Sequence, residues 1–101
     1  DILFVQNNVY QLDIDYELSV TAYAAGDLRQ GYESCRHLLL LNVREELTTV
    51  TMQNMWLYRE HAQTETREVL EQLVAVMQPY AVQGGRLAEV TEYFADILKN
   101  R

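Results

Sequence analysis

Between residues 18 and 39, small and apolar residues recur every three or four positions with a single break, and that spacing is the period of an α-helix. Leu18, Ala22 and Ala25 fall on one side of a first helix over residues 15–25. Gly26 can end it in a left-handed conformation, and Asp27 with Gln30 three residues later forms a capping pair for the next. From there Leu28, Gly31, Tyr32, Cys35, Leu38 and Leu39 carry a second helix to about Leu41. Two helices joined so briefly lie antiparallel.

The same pattern extends down the chain. Asn42, followed by Glu45 and Glu46, offers a side-chain cap and first-turn negative charge for a third helix. Its face runs through Leu47, Val50, Asn54, Leu57, Tyr58 and His61 to residues 62–63. Thr64 or Thr66 caps a fourth helix with Leu70, Leu73, Val74 and Met77 inward, and Pro79 is expected to end it. Residues 80–85 read as a loop. Gly84 and Gly85 release a last helix striped by Leu87, Val90, Phe94, Ile97 and Leu98. Trp56, beside Met52 and Met55, is expected on the seam to the fourth helix rather than in an exposed patch.

Ile2, Leu3, Phe4 and Val5 are too few to separate a strand from a buried helical turn. Val9, Tyr10, Leu12 and Ile14 are expected over the first helix pair. The predicted fold is therefore all-α: about five helices in antiparallel hairpins, preceded by a short extended N-terminal segment. A chain of 101 residues fits one domain, residues 1–101, with one modest core. It opens on Asp1 rather than methionine and is expected to be a piece of a longer protein.

The run YELSVTAYAAGDLRQGYESCRHL, residues 16–38, resembles a tetratricopeptide repeat in its placing of Leu18, Ser19, Ala22, Gly26, Leu28 and Gly31. Ser19, Ala22 and Gly31 are small where two helix axes come close. Leu38 departs from the pattern, where the family prefers a small residue, and the usual closing proline is missing near Val43. More narrowly, YELS, AYAAGD, a cysteine in the second helix and then NMWLY look like the degenerate helical repeats downstream of many bacterial glycosyltransferase catalytic domains. The narrower resemblance covers roughly residues 13–58. It implies a right-handed helical array, with Asn54, Leu57 and Tyr58 in the opening helix of a following repeat and a parent that transfers sugars through another domain.

The net charge of -7, from 15 acidic against 8 basic side chains, argues against nucleic acid and anionic membranes as partners. Cys35 is the only cysteine, so no internal disulfide forms and a reducing cytoplasm is the plainest setting. Asp13-Ile14-Asp15 has the form of an acidic metal motif, but it reads better as acids complementing a helix start. Cys35 and His37, two apart on a helix, point away from each other. Cys35 reads as core, and His37 and His61, too few for structural zinc, read as surface. Glu65, Glu68 and Glu71 with Arg67 read as a solvated face.

No catalytic, cofactor-binding or metal-binding residue is expected. The candidate site is instead Tyr16, Val20 and Tyr23, offset from the Leu18 and Ala22 side, where phenol rings suit a protein partner or a neighbouring domain of the same chain. The competing view is that these tyrosines pack on the N-terminal segment or on that domain. The alternatives in function are a homodimer through Trp56 and the last two helices, or substrate contacts contributed to a glycosyltransferase.

Overall fold

The computed structural model describes the backbone of residues 2–101 and the side chains of residues 12–101. It is all-α: α1 (Ile2–Thr21), α2 (Leu28–Leu41), α3 (Glu45–Met55), a 3-10 helix (Trp56–Thr64), α4 (Arg67–Ala81) and α5 (Gly85–Lys99). Helices adjacent in sequence pack on each other, α1 on α2, α2 on α3 and α4 on α5. Helices two apart also touch, α1 with α3, α2 with α4 and α3 with α5, as in stacked hairpins.

The extended N-terminal segment expected ahead of residue 15 is helical, with α1 starting at Ile2. No glycine or proline interrupts the chain before Gly26, so no strong helix breaker stands in the way of helix continuation. Of the residues expected over the first pair, Leu12 is half-buried and Ile14 is exposed, while Val9 and Tyr10 lie outside the described side chains.

After Thr21 the chain closes with paired backbone bonds from Gly26 N–H to the Tyr23 carbonyl and from Asp27 N–H to the Ala22 carbonyl. That pairing is a Schellman termination, and it requires the φ of +78° that Gly26 adopts. Ala25, expected on the inner side, sits exposed in this turn. Asp27 caps α2 by accepting from Gln30 N–H at 3.3 Å. The reciprocal half of the capping pair does not form, because the Gln30 amide reaches forward to Ser34 Oγ.

Asn42 takes a different role from the one its sequence position suggested. It terminates α2 in the left-handed conformation, and Arg44 occupies the cap position of α3. Its side chain accepts from Thr48 Oγ1 at 2.9 Å. The inward face of α3 is accordingly Thr48, Thr51, Met52 and Met55, while Val50 and Leu57 are exposed. Threonine can line this core because its hydroxyl finds a partner on its own helix or next to it: Thr51 Oγ1 donates to the Leu47 carbonyl at 2.6 Å.

Thr66 caps α4 through Val69 N–H. Pro79 sits inside α4, which runs two residues further to Ala81. Because it lies in the last turn, the single backbone bond lost to Pro79 does not stop the helix. Most of the predicted inner faces of the last two helices are met: Leu70, Leu73 and Met77 are sealed, as are Val90 and Phe94, with Leu87 and Ile97 nearly so, while Val74 and Leu98 are only partly buried against the core.

One contact ties α1, α2 and the 3-10 helix together. The ring of Tyr58 lies against Gly31 so closely that a Cβ there would stand 2.2 Å from its Cε1. Its hydroxyl donates to the Ser19 carbonyl at 3.0 Å and accepts from Tyr23 N–H at 3.1 Å. The missing side chain at Gly31 thus makes room for a ring from the next helical unit, which then pins the C-terminal end of α1.

Candidate functional site

The three predicted contact residues are all open to solvent: Tyr16 is 40% exposed, Val20 48% and Tyr23 53%, while Ser19 and Ala22 turn inward. The structure does not gather the trio into one hollow. Tyr23 joins Leu28, Trp56, Leu57, Tyr58, Arg59, Glu60 and His61 around a groove of about 360 Å³. Tyr16 borders a separate, smaller hollow with Leu12, Asp13, Arg44 and Leu47. Val20 lies on the α1 surface one turn before Tyr23. Tyr23 is held in place by its backbone bond to Tyr58 and by an edge contact between the two rings, 6.4 Å apart at 65°.

The far wall of the groove comes from the 3-10 helix, whose three-residue turn eclipses side chains at i and i+3. That register sets Arg59 directly over Trp56, with its Cζ 3.9 Å from the ring centroid. Arg86 of α5 approaches the same ring at 4.6 Å, and Tyr93 meets it edge-on at 6.4 Å. The seam around Trp56 is therefore made with α5 rather than with α4. A change of period from 3.6 to 3.0 at Trp56 has no mark in the residue pattern, so the arginine–tryptophan stack was not legible from sequence.

A second cluster was also missed. Glu65, read as part of a solvated acidic face, is buried. It accepts from Tyr32 Oη at 2.7 Å, from Arg36 Nη1 at 2.9 Å and from Thr66 N–H at 3.3 Å. The Arg101 side chain bonds the carbonyls of Glu65 and Gln63 beside it. Burial works to raise the Glu65 carboxyl, but the bonds from Tyr32 and Arg36 with the guanidinium charge outweigh it and leave the group below the usual carboxylate range. Burial, then the bond to Glu65, pushes the Tyr32 phenol well above its ordinary value. The remaining acids behave as expected, with Arg67 and Glu71 a loose exposed pair at 3.5 Å.

Asp13 and Asp15 lie well inside α1, not at its start, so the helix-dipole explanation fails. Asp15 is buried and pairs with Nδ1 of the half-exposed His37. Cys35 is fully buried, and burial followed by the nearby Asp15 charge raises its thiol far above the ordinary value. A thiol so placed is a core group rather than a nucleophile. Among the described residues, no group of three His, Cys, Asp or Glu is placed to hold a metal ion. No helix among them is long and apolar enough to cross a membrane.

Comparison with known proteins brings no neighbour to this arrangement: no family model, no curated protein and no solved structure matches the chain.

Proposed function

We propose that this chain is a non-catalytic protein-interaction module of helical-repeat type, holding a separate protein or a neighbouring domain against the outer face of α1 and the adjoining groove. The observation that carries this proposal is the set of large apolar side chains left open there: Tyr23, Leu28 at 40% and Leu57 at 42% exposure around the groove, with Val20 exposed on the α1 surface one turn before Tyr23. Tyrosine and leucine presented from helices anchored by buried bonds suit docking at little entropic cost. The groups with the best chemical credentials are engaged elsewhere, Glu65 in its hydrogen bonds and Cys35 in the core. Service as the accessory region of a bacterial glycosyltransferase, which the resemblance of residues 13–58 implies, belongs to the same proposal.

Site-specific photocrosslinking tests it. A benzophenone side chain at Val20 or Tyr23 is expected to trap a discrete protein or the adjoining domain, whereas one at Val82, which is 87% exposed in the turn after α4, is not. Equal trapping at all three positions, or none at the first two, would overturn the proposal.

A further inference from the structure

Arg59 is the basic residue whose surroundings are incomplete. Among the described residues, Arg29, Arg36, Arg67 and Arg86 each have a glutamate within 4 Å. Arg101 is bonded to two carbonyls, and Arg44 and Lys99 are exposed to water. Arg59 is half-buried, its Cζ 3.9 Å from the Trp56 ring centroid and 5.7 Å from that of Tyr93, with one bond to the Trp56 carbonyl at 2.6 Å and, among the described residues, no carboxylate partner. A guanidinium has five N–H donors, and stacking on an indole fixes its plane while leaving its edge available. The chain has almost two acids per base, yet among the described residues none is set against this half-buried cation. Glu60 lines the same groove but is exposed and makes no pair with Arg59, and His61 is the other titratable group there beside the two tyrosines.

We infer that the groove takes an acidic segment of a protein partner, with an Asp or Glu carboxylate on the free edge of Arg59 and a bulky apolar neighbour against Tyr23, Leu28 and Leu57. This rests on the interaction role proposed above and adds the chemistry of the partner. Charge complementarity favours such a segment: the open donor edge suits an anion, and the surrounding leucines and tyrosine suit apolar surface. The arrangement is set before binding, since the stack and the 3-10 register hold the guanidinium in the free protein.

The test is selection of short peptides from an unbiased displayed library against the full chain. Binding is then read by the emission of Trp56, the only tryptophan and itself under the arginine. Enriched peptides are expected to carry Asp or Glu beside Leu, Phe or Tyr, and to weaken as salt rises. Arg59→Gln is expected to weaken them about tenfold or more, the scale of one charge-assisted hydrogen bond. Arg67→Ala, on the far exposed pair, is expected to leave them unchanged, and far-UV dichroism checks that both variants stay folded. Enriched peptides that lack acids, or that bind Arg59→Gln as well as the parent, overturn the acidic-segment inference while leaving the interaction role standing. Failure to enrich any peptide, or binding untouched by Tyr23→Ala and Leu57→Ala, overturns both. Emission that changes with protein concentration alone makes a second copy of the chain the occupant and likewise overturns it.

Discussion

Replacing Gly31 with alanine adds a single methyl group, and the structure says that this methyl has nowhere to go. Its Cβ would meet Tyr58 Cε1 at 2.2 Å, Cζ at 2.3 Å and Cδ1 at 2.8 Å, all well inside van der Waals contact. The ring cannot swing aside freely, because it is buried and its hydroxyl is bonded to both Ser19 and Tyr23. Alanine gains about 1 kcal/mol of helix propensity over glycine within α2. Against that, overpacking costs about 1–3 kcal/mol, and displacing the ring puts two buried hydrogen bonds at risk, each about 1 kcal/mol. The net expectation is a loss of about 2–3 kcal/mol, or a melting temperature lower by about 10–20 °C for a domain of this size. Thermal and urea denaturation followed by far-UV dichroism measure it. Combining Gly31→Ala with Tyr58→Ala separates the clash from any other effect: once the ring is gone, the alanine should be neutral or stabilising. A Gly31→Ala single variant as stable as the parent, or a double variant in which the two losses simply add, refutes the close-approach account. Gly26→Ala provides the contrast, since open space surrounds that position and only its φ of +78° resists a side chain. Its cost should be about 1–2 kcal/mol, with no dependence on Tyr58.

Tyr58→Phe keeps the ring but leaves the Ser19 carbonyl and Tyr23 N–H without their buried partner, so urea denaturation should report a loss of about 1–3 kcal/mol. Glu65 has a lowered pKa in the folded state, so its stabilising contribution is complete above the ordinary carboxylate value and is lost as pH falls through the lowered one. Stability measured from pH 7 downward should therefore decline more in the parent than in Glu65→Gln, which should already be weaker by about 1.5–3 kcal/mol at pH 7. Cys35, sealed in the core, should react with a thiol reagent such as Ellman's only when urea unfolds the chain; prompt reaction of the native protein would contradict that burial.

Much of the architecture was legible because local signals agreed with each other. The break at Gly26, the caps at Asp27 and Thr66 and the stripes of α2, α4 and α5 each rest on contacts within a turn or two of sequence. The small residues Ser19, Ala22 and Gly31 were recognised as sites of close approach. Which atom approaches Gly31 was not, since Tyr58 arrives from 27 positions away. Long-range polar pairing was equally silent: nothing near Glu65 says that Tyr32 and Arg36 will meet it, and nothing near Asp15 says that His37 will. The inward face of α3 was misjudged because buried threonines look polar until their hydroxyl bonds are seen. In the candidate site, Tyr16, Val20 and Tyr23 were legible as an outward ridge from helical phase alone. The groove that extends it depends on the 3-10 register after Met55, which composition does not encode.

The most direct test of the central claim, that recognition runs along the outer face of α1 and the adjoining groove, is an amide chemical-shift titration of the labelled chain with the partner trapped at Val20 or Tyr23. Shifts should concentrate at Val20, Tyr23, Leu28, Leu57 and Arg59, with the amides of α4 unmoved. Perturbations centred on α4, with those five residues silent, would contradict it.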